Sequence, residues 1–312
     1  FPKGKLATPD RLRLVGPDSE AVPCQKMVTA RWPDGSIQWM LFDAVVPLPG
    51  QPADYAIASG DDAPGGAMPL QPVVVGPNTG GNARDVRLQS GPLIAVVAGV
   101  GMTTLKSLEV GGRRLFPEGA TANLLLLDEP GVEYLGSRDP SPVVTVEDKG
   151  PIRATVKVEG WTVSPEGVRL GKHVVRIHAF AGVPGLRVDH TWIVTADSDA
   201  VRYRDIAWEL PFDGTRYRFL EVRGLAGEVS PEAPAYLLQY NENESDLRVA
   251  DGPARQAGPC LGRVRVGDPP YAVYVQDFRE NFPKEIEVLP GRLRLHIWPR
   301  HGRPATHTGE AL

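Results

Sequence analysis

The sequence predicts an all-β protein, and three observations carry the prediction: turn residues spread along the whole chain, short alternating segments between them, and no sustained helical period. Gly (34) and Pro (31) together exceed a fifth of the 312 residues. Spread in this way they interrupt helices and supply the turns that many short strands need. The segment Ile152-Arg153-Ala154-Thr155-Val156-Lys157-Val158-Glu159 alternates strictly, so one face is apolar or small and the other charged. Arg153, Lys157 and Glu159 are therefore expected on a solvated face.

The bulk numbers narrow the function classes. Hydrophobic residues at 42% and charged residues at 23% place the chain with folded globular proteins rather than disordered ones. A net charge of -4 gives no basic excess for a general nucleic-acid binder. No apolar run reaches the roughly 18 residues that read as a membrane span. Two cysteines, Cys24 and Cys260, exclude a disulfide framework and leave one long-range bridge open. The chain opens on Phe1-Pro2-Lys3-Gly4, without the initiator Met, charged start or apolar stretch of a secretory signal, so whatever came first is expected to have been removed, by processing or by design.

Taken in order, Arg11 to Val15 alternates as a half-buried strand and runs into the Gly16-Pro17-Asp18 turn. A clearer hairpin follows, with Lys26 to Trp32 as one arm, Pro33-Asp34-Gly35 as the turn and Ser36 to Val46 as the other. Its Met27, Val28, Trp32, Ile37, Trp39, Leu41 and Phe42 supply enough apolar surface for a small barrel. From Gly60 to Gly81 the composition turns to Gly, Pro, Asp and Asn, and a domain boundary is predicted near Gly80. Strands then recur from Val86 to Trp298 at a spacing that fits a large antiparallel sandwich over residues 81–300.

Phosphate-binding loops, GxSxG elbows, HExxH pairs and CxxC pairs are all missing. His173 and His178 sit five apart in one strand, so alternation sends them to opposite faces and away from a shared metal. Asn241, Glu242, Asn243, Glu244 and Asp246 form an oxygen-rich loop that leaves calcium open as a cofactor. Its spacing matches no defined calcium loop, and the reading is a solvated acidic turn with no residue assigned as a metal ligand.

The chemistry worth most attention lies late. In Gly291 to Arg300, alternation sends Leu293, Leu295 and Ile297 one way and Arg292, Arg294, His296 and Trp298 the other. A guanidinium can grip a uronic-acid carboxylate bidentately while an indole stacks on the sugar ring. Arg300 and His301 extend the same edge, and Arg279 and Lys284 stand just upstream around Phe278 and Phe282. The competing reading is an exposed polar edge with Trp298 packed beneath a loop.

The segments FPKGKL (Phe1 to Leu6), RWPDGSIQWMLFD (Arg31 to Asp43), FPKEIEV (Phe282 to Val288) and LHIWPRHG (Leu295 to Gly302) resemble the rhamnogalacturonan exolyase family, polysaccharide lyase family 26. The resemblance implies a small N-terminal RIFT-type barrel over residues 1–80, a central β-sandwich, and a tail at 301–312 that would lead to an α/α toroid missing from this chain. It also implies β-elimination on an acidic polysaccharide such as rhamnogalacturonan, and a secreted or periplasmic location. That chemistry needs neutralisation of the carboxylate and a base for the C5 proton. Side-chain chemistry then nominates His296, Arg300 and His301 as catalytic and Arg292, Arg294, Trp298, Arg279 and Lys284 as substrate-binding. The expectation is a lyase portion that contacts substrate with incomplete catalysis of its own. The alternative is a noncatalytic carbohydrate-binding or structural β module.

Overall fold

The computed structural model describes residues 1–46, 50, 52–60, 67–79, 81–197, 199–214, 217–220, 234–250, 252–256, 258, 260–299, 301, 306 and 307. Among these the one helical element is a single 3-10 turn, Gly136–Arg138, and everything else regular is antiparallel strand. No described helix is long and apolar enough to cross a membrane.

The N-terminal part holds β1 (Leu12–Val15), β2 (Cys24–Arg31), β3 (Ile37–Ala44) and β4 (Ala56–Ser59). β2 and β3 form the anticipated hairpin, closed where Gly35 takes the left-handed conformation (φ 84°) that the Pro33-Asp34-Gly35 turn requires. Register shifts around Ala30 show that the hairpin carries bulges, which bend it as a small barrel needs. Ile37 is completely buried beneath it.

A five-stranded sheet contains β5 (Val73–Pro77), β6 (Val86–Ser90), β7 (Leu93–Val97) and β8 (Leu105–Val110). β5 lies inside the stretch read as turn-rich from sequence, yet pairs with β6 from Val73↔Ser90 to Pro77↔Val86. Three consecutive valines outweigh the flanking Gly and Pro there, because Pro77 ends an edge strand where no ladder donor is needed.

The principal sheet uses β9 (Asn123–Asp128), β10 (Glu133–Leu135), β11 (Val143–Lys149), β12 (Arg153–Val163), β13 (Arg169–Phe180), β14 (Leu186–Ile193) and β15 (Arg202–Pro211). It continues after β16 (Tyr217–Leu220) with β17 (Ala235–Gln239) and β18 (Ser245–Val249), and after β19 (Arg263–Val266) and β20 (Tyr271–Tyr274) with β21 (Lys284–Leu289) and β22 (Arg292–Trp298). The strand order is β14-β13-β12-β10-β9-β15-β22-β21-β17-β18, with β16, β19 and β20 in a separate three-stranded sheet. One apolar core joins these layers, including Leu88, Val97, Leu124, Val156, Ile177, Leu237, Val264, Ile286 and Leu293. Each such side chain contributes about 1.5–3 kcal/mol by leaving water.

The charged face of β12 is paired rather than solvated. Arg153 meets Asp148 and the barrel residue Asp43, each at 3.1 Å, and its backbone N–H donates to Gln25 Oε1. Lys157 sits between Glu147 and Glu159. Cys24 and Cys260 are both free thiols, so the bridge left open by the cysteine count does not form.

Candidate functional site

The hairpin β21–β22 builds the site, and its register follows from the Pro290-Gly291 turn, where Gly291 adopts φ 70°. Pairing places Glu285 opposite His296, Glu287 opposite Arg294 and Leu289 opposite Arg292. On the other flank β15 places Ala207 opposite His296 and Glu209 opposite Arg294. Alternation buries Leu293 and Leu295 with Ile286, Val288, Trp208 and Leu210 on the core side. It gathers Arg292, Arg294, His296, Glu209, Glu285 and Glu287 on the opposite face.

Arg294 is held firmly there. Its Nε donates to Glu209 Oε2 at 2.9 Å, and Nη1 reaches Glu287 Oε2 at 3.5 Å, with 13% of the side chain exposed. Arg292 is looser, 3.6 Å from Glu209 and 59% exposed. Both arginines line an open depression of about 240 Å³ with Asn123, Leu125, Glu133, Leu135 and Glu209. Asn123 is oriented by Ser137, whose backbone N–H donates to its Oδ1 and whose Oγ accepts from its Nδ2.

His296 lies deeper. Its side chain is fully buried, with Nδ1 2.6 Å from Asp205 Oδ1 and Nε2 3.6 Å from Glu285 Oε1 and 3.5 Å from Glu287 Oε2. Burial alone would push its pKa down; the charge of Asp205, the hydrogen bond to it and the neighbouring carboxylates outweigh that and raise it to about 10. His301 stands at the mouth, 30% exposed, with Nδ1 2.6 Å from Glu285 Oε1 and its ring stacked on Tyr236 at 4.3 Å. Among the described residues Glu285, Glu287 and His301 offer ligand atoms all within 4.8 Å of one another.

The remaining candidates are dispersed. Trp298 does not join the arginine face. β22 carries an extra residue where Ile206 pairs with Trp298 but Ala207 pairs with His296, and this bulge resets the alternation. Trp298 then packs against the second core of Leu126, Tyr134, Leu170, Tyr203 and Ile206. The Lys284 ammonium donates to the Ile297 carbonyl at 3.0 Å, and burial pushes its pKa down to about 8. Arg279 donates to the Glu242 carbonyl and closes the oxygen-rich loop. Inside that loop Asn241 Oδ1 accepts from the Asn243 and Glu244 backbones, and Asp246 accepts from Tyr240, so its oxygens are spent on the turn itself. Arg300 lies outside the described residues.

Sequence reasoning assigned no role at this face to Asp205, Glu209, Glu285 or Glu287. The signal was present in Glu285-Ile286-Glu287-Val288: two acids two residues apart, on a strand whose Pro-Gly turn sets them against Arg294 and His296. Asp205 carried no such signal, because it arrives from β15, some 90 residues earlier by chain.

Residues 1–59 match the PcRGLX-like N-terminal RIFT barrel domain, and residues 82–257 match the PcRGLX-like protein central beta sandwich domain. The second match alone covers more than half of the chain. The protein belongs to the PcRGLX-like family. The RIFT barrel and β-sandwich anticipated from sequence are thereby both present, while the β21–β22 hairpin lies beyond the matched residues. The uncharacterized protein YetA of Bacillus subtilis (strain 168) is 25% identical over 261 residues, which is 77% of this chain and 28% of that protein. An α-mannosidase from Enterococcus faecalis V583 shares the fold with a TM-score of 0.54 at 11% identity, over 98% of this chain and 37% of the other. The chain thus spans well under half the length of either protein.

Proposed function

We propose that this chain is the barrel and sandwich portion of a polysaccharide lyase acting by β-elimination on a uronic-acid glycan such as rhamnogalacturonan, and that its part is substrate contact. The observation that carries the reading is the depression beside β22 in a family member of this type, with Arg292 exposed at its rim. Arg292 can turn from Glu209 toward a sugar carboxylate and grip it with two parallel N–H groups. Arg294 already spends its charge on Glu209 and Glu287, so it shapes the wall rather than binding directly. A lyase of this kind works on material outside the cell, which fits a secreted or periplasmic setting.

A second reading, a noncatalytic carbohydrate-binding module, is favoured by one feature: the fully buried His296 cannot reach a substrate proton. Incubation with rhamnogalacturonan, followed by absorbance of the unsaturated product, separates the two. Weak but detectable turnover that Arg292→Ala abolishes supports the lyase portion, whose catalysis is incomplete on its own, whereas binding with no detectable product supports the module.

A further inference from the structure

We propose that Glu285, Glu287, His301 and His296 form a binding site for one divalent transition-metal ion, with zinc the ion that the donor set fits best. Three ligand atoms from Glu285, Glu287 and His301 already lie within 4.8 Å of one another. A second observation points into the same space. The fully buried His296 Nε2 has no hydrogen-bond partner and stands 3.6 and 3.5 Å from oxygens of those same two glutamates. Two ligands on one tetrahedral ion with bonds near 2.1 Å are separated by about 3.4 Å. The two His296–glutamate separations are close to that edge length, and the ion would replace the 2.6 Å hydrogen bond between His301 and Glu285.

The surroundings match a metal site in further respects. Asp205 accepts from His296 Nδ1 at 2.6 Å, which fixes the ring with Nε2 aimed at the glutamates, the outer-shell pattern of metal-bound histidines; the ion would take the place of the Nε2 proton. Stacking on Tyr236 sets the plane of the His301 ring. Glu285 is completely buried, and its Oε2 also lacks a hydrogen-bond partner. Two imidazoles with two carboxylates suit zinc, whereas calcium and magnesium prefer oxygen ligands alone. His301, 30% exposed, gives the ion a route in. Through Glu287, which also contacts Arg294, the ion would hold the wall of the neighbouring depression.

Tag-free protein is stripped with a chelator, exposed to zinc, gel-filtered and assayed by elemental analysis, with calorimetric titrations of zinc, manganese and calcium in parallel. The proposal expects about one zinc per chain, a higher melting temperature with zinc, and weaker or no binding of calcium. Since Asp205→Asn disturbs a buried group, the partly exposed His301→Ala is the primary variant, with circular dichroism to confirm folding. His301→Ala should weaken zinc binding at least about tenfold, and Asp205→Asn, where folded, by about 10–100-fold. Folded wild-type protein retaining less than a tenth of an equivalent, a His301→Ala variant binding zinc as tightly as wild type, or calcium bound in preference to zinc would each overturn the assignment.

Discussion

Acid should destabilise this protein through one buried histidine pair, and replacing one member should blunt the effect. His173 Nδ1 lies 2.9 Å from His190 Nε2, the rings stack at 5.1 Å, and His173 Nε2 is within 3.4 Å of Thr162 Oγ1. One neutral ring donates and the other accepts, which a second proton would abolish. Burial lowers the His190 pKa from 6.5 to about 4, and burial together with the neighbouring His190 holds His173 well below its ordinary range. A depressed folded-state value means that the unfolded chain takes up the proton first. The stabilisation is therefore complete above pH 6.5 and declines as pH falls toward about 4. For His190 the full shift corresponds to about 3 kcal/mol. Part of the residue reaches solvent, so about 2 kcal/mol is the working figure after screening. Urea unfolding followed by tryptophan fluorescence from pH 4.5 to 7.5 measures it. His190→Gln keeps a hydrogen-bonding group that does not titrate in this window, so the wild-type loss of stability across it should exceed the variant's by about 2 kcal/mol. Parallel profiles for the two proteins would refute the reasoning.

Two further outcomes follow from packing and pairing. Trp298→Ala should cost about 3–5 kcal/mol, read as a lower denaturation midpoint, because it opens a cavity against Leu126, Tyr203 and Ile206; glycan affinity of the folded variant should be unchanged. Arg153→Ala should cost about 1–3 kcal/mol by leaving the half-buried Asp43 and Asp148 uncompensated, and limited proteolysis should cut faster between barrel and sandwich.

Much of the fold was legible because its signals are local. The hairpin around Pro33-Asp34-Gly35, the strand at Leu93–Val97 and the long alternating strand at Arg153–Val163 are each specified by neighbouring residues. β5 was missed because Val73-Val74-Val75 is short and flanked by breakers, and only its pairing with β6 makes it a strand. At the candidate site, alternation correctly put Arg292, Arg294 and His296 on one face, since Leu293 and Leu295 mark the other. It misplaced Trp298, because a bulge is a property of two strands and leaves no mark in one. It also missed that the basic residues would be met by acids, because Asp205 and Glu209 come from β15.

The most direct test of the central claim is calorimetric titration of rhamnogalacturonan oligosaccharides into wild-type protein and Arg292→Ala, a variant that leaves the buried network intact. If the depression beside β22 receives a sugar carboxylate, wild type binds and the variant loses about 1.5–3 kcal/mol, roughly tenfold or more in Kd. Equal affinity in the two proteins, or no binding by folded wild type, would contradict it.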